Sequence, residues 1–122
     1  IFYLKNRIPH ITHRSQFSEP SPDLALQAGP ILIANGKPTT LNNPQITSRR
    51  SGIAITSKKE VIIFATLVRF PGTSFEQIQN LLSMPELNVT NALNLDGGGS
   101  SQLYLKENSL IKDSVNDPLS IK

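Results

Sequence analysis

The stretch Ile53-Ala54-Ile55-Thr56-Ser57-Lys58-Lys59-Glu60-Val61-Ile62-Ile63-Phe64-Ala65-Thr66-Leu67-Val68 decides the character of the chain. Two apolar, β-prone runs flank four polar residues, which is the pattern of a β-hairpin. The second run is apolar at nearly every position from Val61 to Val68, so it reads as a strand covered on both faces and predicts the centre of a sheet. It is also less than half of the roughly 20 residues that a membrane-spanning helix needs, so no membrane span is expected.

Upstream, Pro30 opens the strand-like run Ile31-Leu32-Ile33. Asn35-Gly36 follows, the dipeptide favoured by type I′ turns because both central residues take positive φ. Thr39 to Ser48 reads as irregular, broken by Pro44 and the Asn42-Asn43 pair. Further out, Ile1-Phe2-Tyr3-Leu4 is a short strand entering a turn at Lys5-Asn6-Arg7. The polar stretch from Pro9 to Pro22 predicts a long loop, with regular structure resuming near Leu24.

Downstream, one helix is signalled over about residues 74–83. Thr73-x-x-Glu76 and Ser74-x-x-Gln77 are overlapping capping boxes, and Phe75, Ile78, Leu81 and Leu82 recur at helical spacing. Pro85 ends it, since proline disfavours helical geometry in the residue before it. Ala92-Leu93-Asn94-Leu95 then leads into a run of glycines, which Gln102-Leu103-Tyr104-Leu105 leaves as a strand. With no internal repeat, the fold class is α+β, a mixed or antiparallel sheet with at least one packed helix.

At 122 residues the chain makes one domain and not two. Its charged fraction of 17% and hydrophobic fraction of 38% are those of a globular chain rich in Ser, Thr, Asn and Gln. The net charge of +3 is spread thinly, which speaks against nucleic acid as a partner and mildly favours anionic substrates. The absence of cysteine excludes disulfides, thiol nucleophiles and Cys-based zinc sites. The chain opens on Ile1 rather than Met, so an upstream segment is expected and the lack of a targeting signal carries no information on location.

The chemistry centres on Asp96-Gly97-Gly98-Gly99-Ser100-Ser101. Three glycines without Cβ atoms let backbone N–H groups close on a ligand as an anion-binding nest. Asp96 ends an apolar strand, where it would project into a cleft, and Ser100 and Ser101 add hydroxyls. A tight turn without a ligand is the plainer reading of the same residues. Neither the P-loop pattern nor G-x-G-x-x-G is present. His10-x-x-His13 lacks a third, acidic ligand nearby, so solvated histidines are the first reading and a divalent metal the second; no cofactor is expected. Asn88-Val89-Thr90 matches the glycosylation sequon, which has meaning only in a eukaryotic secreted protein.

The run Asn91-Ala92-Leu93-Asn94-Leu95-Asp96-Gly97-Gly98-Gly99-Ser100-Ser101 resembles the signature of the phosphodiester glycosidase family. Leu26-Gln27-Ala28-Gly29-Pro30 with Asn35-Gly36-Lys37 is similar to the family's Gln-x-Gly-Pro strand and hairpin. Arg50-Ser51-Gly52-Ile53-Ala54-Ile55 resembles its Arg-[Ser/Thr] segment, with Ala54 where Gly is common. The motifs fall within residues 24–106. The resemblance implies a hydrolase that cuts between a sugar anomeric carbon and a phosphodiester oxygen. It further implies Asp96 as the catalytic carboxylate, Arg50 as the clamp on phosphate, and Gln27, Gly29, Gly97, Gly98, Gly99, Ser100 and Ser101 as substrate-binding positions. From the residues alone Arg49 serves as well as Arg50, and only the motif selects between them. A secreted or periplasmic location is implied by the resemblance alone.

Residues 1 to 23 hold no match to the Asn-Gly-Gly-Phe-like motif found early in the family. The chain is therefore expected to be the C-terminal two-thirds of such a domain, with an N-terminal segment or a second chain completing the sheet. Two other readings stand beside the enzyme: a carbohydrate- or phosphate-binding module that lost the chemistry, and a remnant whose glycine turn only closes the sheet.

Overall fold

The computed structural model describes residues 1–66, 71–101 and 103. Strands β6 (Ser51–Thr56) and β7 (Val61–Ala65) form the expected antiparallel hairpin, with Ile53 opposite Ile63 and Ala54 opposite Ile62. The Ile31 run becomes β4 (Ile31–Ala34), which turns through Asn35 (φ 50°) and Gly36 (φ 75°) into β5 (Lys37–Pro38). Both central residues of that turn take positive φ, as a type I′ connection requires. β8 (Val89–Asn94) then inserts between β4 and β6, giving a five-stranded sheet of order β5-β4-β8-β6-β7. Every strand pairing in it is antiparallel.

A second, three-stranded sheet has the order β2-β1-β3 and is built from β1 (Phe2–Lys5), β2 (Ile8–Ile11) and β3 (Leu24–Leu26). The expected loop after Pro9 begins later than the prolines suggested. Pro9 sits inside β2 opposite Leu4 and is buried. Proline cannot donate to a ladder, and β2 tolerates it because the strand has a neighbour on one side only among the described residues.

The alternation of β8 and β6 divides the core. On one face Ala92 and Ala54, both fully buried, meet Ile78 and Leu82 of the helix α1 (Phe75–Leu82), with Leu32, Ile62 and Phe64 beside them. On the other face Leu93, Ile53 and Ile55 meet Phe2 of the small sheet, joined by Leu4, Ile11 and Leu26. The result is three layers: helix, five-stranded sheet, three-stranded sheet. The α+β reading is thus correct.

Of the two overlapping capping boxes, the one starting at Ser74 closes. Ser74 Oγ accepts from the Gln77 N–H at 3.1 Å, and Gln77 Oε1 accepts from the Ser74 N–H at 2.8 Å. Thr73 is drawn instead into a backbone pairing with Ser48. Gly72 (φ 88°) permits that approach, since a Cβ there would lie 2.8 Å from the Ser48 backbone. The buried Gln79 side chain ties α1 to the sheet by donating to the carbonyls of Leu32 (2.9 Å) and Thr39 (2.8 Å).

The expectation that Val61 to Val68 forms the central strand is corrected. Among the described residues β7 ends the sheet, and Val61 and Ile63 are 41% and 60% exposed. Ile62 and Phe64 bury one face against the helix side, whereas the small sheet does not extend across to cover the other. The centre belongs to β8, whose apolar run is shorter. Leu67, Val68 and most of the strand expected after the glycines lie outside the described residues.

Candidate functional site

A cavity of about 610 Å³ opens where the end of β8, the lead-in to β6 and the segment after β3 converge. Its lining includes Gln27, Gly29, Arg50, Asp96, Gly97 and Gly98, so three separate sequence motifs meet in one place. Ser48, Phe75 and Asn94 join them. Gly99, Ser100 and Ser101 stand outside this lining. Gln27 to Pro30 also wall a second cavity of about 460 Å³, together with Ile1, Thr12 and His13.

Arg50 is held by the loop before β6. Its backbone N–H donates to Thr66 Oγ1 at 2.8 Å, and its carbonyl accepts from the Thr66 N–H at 2.8 Å. The guanidinium carbon lies over the Phe75 ring, 3.8 Å from its centroid. Nη2 donates to the Ile46 carbonyl at 2.9 Å and Nε to that of Thr73 at 3.4 Å. Stacking on an aromatic face and two fixed carbonyls pre-orient the fork. No carboxylate lies within ion-pair distance of it among the described residues. Partial burial pushes its pKa below the ordinary arginine value, yet guanidinium stays charged in proteins. The structure also separates the two adjacent arginines: Arg50 lines the cavity, while Arg49 turns its carbonyl to the Gly98 N–H at 2.9 Å.

Asp96 follows β8 and is exposed. Its Oδ1 accepts from the Gly97 N–H at 2.8 Å, and the nearby Ser100 hydroxyl also favours its ionised form. These two donors, the backbone N–H first, hold its carboxyl below the usual aspartate range. The Ser51 hydroxyl donates to the Asp96 carbonyl at 2.6 Å and pins the backbone beneath.

Of the five backbone N–H groups from Gly97 to Ser101, four are paired within the chain. The N–H of Gly97 goes to Asp96, that of Gly98 to Arg49, and those of Ser100 and Ser101 turn back to Gly97 and Gly98 at 3.3 Å. Residues 98–100 form a single 3-10 turn, with Gly98 at φ 62°. At Gly97 the missing Cβ secures closeness to the chain beside it. A Cβ on Gly97 would lie 3.1 Å from the Arg49 carbonyl and 3.8 Å from Arg50 Nη1.

The histidines have other employment. His10 stacks on Tyr3 with centroids 4.7 Å apart, and His13 Nδ1 accepts from the Ser15 N–H at 3.2 Å. No group of three or more His, Asp or Glu side chains is placed to hold a metal ion among the described residues. Ser48, Phe75 and Asn94 were missed by the sequence reading, Ser48 as the end of an irregular stretch. Phe75 was assigned to the apolar face of the helix, and Asn94 was passed over inside the glycine motif; a lone amide closing an apolar strand two residues before Asp96 was the available signal.

Three motifs thus converge on one cavity, and comparison with known proteins identifies the family. The chain belongs to the phosphodiester glycosidase family, whose model matches residues 2–122. That match begins upstream of the motifs and takes in the small sheet. Among solved structures, a chain described as a hypothetical protein from Synechocystis is similar, with 33% identity and a TM-score of 0.54. The alignment covers 64% of this chain and 16% of that one, so this chain corresponds to a minor part of the longer protein. The search of curated proteins returned no match.

Proposed function

We propose that this cavity binds a sugar phosphodiester and hydrolyses the bond between the anomeric carbon and the phosphodiester oxygen. The observation that carries the reading is that one cavity is lined both by an arginine held over an aromatic ring, with no carboxylate partner among the described residues, and by a carboxylate kept ionised. Arg50 offers a fixed, planar cation to the phosphate oxygens. As the bond breaks, its electron pair passes to the leaving phosphate oxygen, where Arg50 balances the added charge. Asp96, held anionic, is unsuited to act as a general acid. It faces the positive charge that develops at the anomeric carbon and takes up the proton of the attacking water. The products are a free sugar and a phosphomonoester. A phosphate leaving group has little need of protonation, so one carboxylate suffices for this scheme.

Gln27 and Gly29 serve as substrate-binding positions on the opposite wall, with Gly97 and Gly98 shaping the near one. Gly99 and Ser100 lie exposed beside that wall, where Ser100 steadies Asp96, and Ser101 is buried beneath it. In this reading the chain is the C-terminal two-thirds of a phosphodiester glycosidase domain. An N-terminal segment carrying the Asn-Gly-Gly-Phe-like motif, or a second chain, completes the sheet.

One observation favours the second reading, a binding module without turnover: Asp96 is the sole carboxylate among the described lining residues. A single experiment separates the two. Incubation of the protein with a methyl hexose-1-phosphodiester releases reducing sugar if the enzyme reading holds, and Asp96→Asn lowers that rate by about 10²–10³-fold with an unchanged melting temperature. Full activity in Asp96→Asn sinks the role given to Asp96. Binding by calorimetry without product selects the module.

A further inference from the structure

We propose that the second cavity, of about 460 Å³, is the subsite for the alcohol on the other ester of the phosphodiester, and that it takes an alcohol with an apolar body. This rests on the sugar-phosphodiester reading above and names the half of the substrate that the charged cavity does not hold.

The two cavities have residues 27–30 as a common wall. Along it Gln27 and Gly29 are exposed, whereas Ala28 and Pro30 are half-buried. Nothing lies within 4 Å of the place a Cβ on Gly29 would take, so the wall is open to solvent above that residue. It is also held in position. The Gly29 carbonyl accepts from Asn94 Nδ2 at 3.0 Å, and the Pro30 carbonyl accepts from the Asn94 N–H at 2.9 Å. Extended chains side by side lie about 5 Å apart, so a wall one chain wide is of a thickness that a C–O–P–O–C bridge can cross. A phosphodiester sends its two substituents away from phosphorus in different directions. With phosphate at Arg50 and the sugar at Asp96, the second substituent needs room of its own, and the cavity across residues 27–30 supplies it.

The two linings differ in chemistry, and that selects the ligand. The first cavity carries Arg50, Asp96, Ser48 and Asn94. In the second, Ala28, Pro30, Ile31, Ala34 and Leu41 present apolar surface. Among its polar groups the Thr39 hydroxyl is already spent on the Ile31 carbonyl, and His13 Nδ1 on the Ser15 N–H. Arg14 is its one charged side chain among the described residues. A cavity of this size with mostly apolar walls holds an apolar group, oriented by a few polar ones. Cleavage at the anomeric carbon leaves the alcohol esterified to phosphate, so its seat is the same before and after the bond breaks.

The test uses the full chain and calorimetry, so it is independent of turnover. For the hexose that binds best as its methyl 1-phosphodiester, the methyl, hexyl and carboxylate-tipped alkyl diesters are compared. Each methylene that is buried is worth about fourfold in affinity, so the hexyl diester should bind wild-type protein about tenfold or more tighter than the methyl diester. Ala34→Phe and Thr40→Trp place bulk in the second cavity only. Each should remove that gain and leave affinity for the methyl diester unchanged. If Ala34→Phe does not fold, Thr40→Trp decides, because Thr40 is exposed. Equal affinity for methyl and hexyl diesters, or a gain that survives in the folded variants, overturns the subsite and leaves the sugar-phosphodiester reading standing. Tighter binding of the carboxylate-tipped chain than of the hexyl chain overturns the apolar assignment in favour of Arg14. Failure of every diester to bind overturns both readings.

Discussion

The two sides of the cavity treat charge in opposite ways. On the glycine side, four backbone N–H groups that could have faced an anion are turned inward to Asp96, Arg49, Gly97 and Gly98. On the arginine side, a guanidinium is steadied by carbonyls and a ring while no described carboxylate neutralises it. Under the proposed function, the contrast teaches that Gly97 secures position and the arginine supplies attraction. A composition of Gly-Gly-Gly therefore describes how closely chains approach, and the anion site has to be sought on the neighbouring strand lead-in.

Replacing the attractive side should have the larger effect. Arg50→Ala is expected to weaken calorimetric binding of a methyl hexose-1-phosphodiester by roughly 10- to 150-fold, the range of a charge-assisted hydrogen bond. Arg50→Lys should recover only part of it, since an ammonium lacks the planar fork of the guanidinium. Equal affinity in Arg50→Lys would mean that charge alone is read, without geometry.

Gly98→Ala probes the positional side. At φ 62° an L side chain is strained by about 1–2 kcal/mol, so the melting temperature should fall while affinity of the folded protein is kept. A loss of affinity at unchanged stability would reopen the anion-nest interpretation. Smaller still is the pH effect. Asp96 has a folded pKa below its ordinary value, so its ionised form persists as pH falls. Loss of turnover through this group sets in only below about pH 4, as does loss of the stability it contributes. Ser100→Ala should move that acid limb of the kcat/KM profile upward by a modest step, because the Gly97 N–H is the larger cause and remains. The smallest expected change is Gly99→Ala. Nothing lies within 4 Å of the added methyl, and stability should stay within about 0.5 kcal/mol with binding untouched.

Much of this architecture was legible because local chemistry and tertiary structure agree. Asn35-Gly36 turns as its φ demands, Ser74 and Gln77 close their box, and the helix lies within the span the capping and spacing marked. Burial, by contrast, is a property of layers. The all-apolar look of Val61 to Ala65 could not reveal that the small sheet stops short of Ile63, nor could two prolines show that β2 has an unpaired side among the described residues. The site divides in the same manner. Gln27, Gly29, Arg50, Asp96, Gly97 and Gly98 were found through motifs and do line one cavity. The accounting of glycine-side N–H groups and the Phe75 platform depend on three-dimensional pairing that no run of letters contains.

The insertion of β8 has a consequence for how the chain is made. Leu93 sits beside both Ile31 and Ile53, so the middle strand of the large sheet is also its last described strand in chain order. As the polypeptide emerges, β4–β5 and β6–β7 can close as local hairpins, but neither can find its inner neighbour until β8 has been synthesised. Pairings of such long sequence separation are slow to form and leave strand edges bare meanwhile. The same late strand delivers Asn94 and leads directly to Asp96, so the cavity comes into being at the moment the sheet becomes whole.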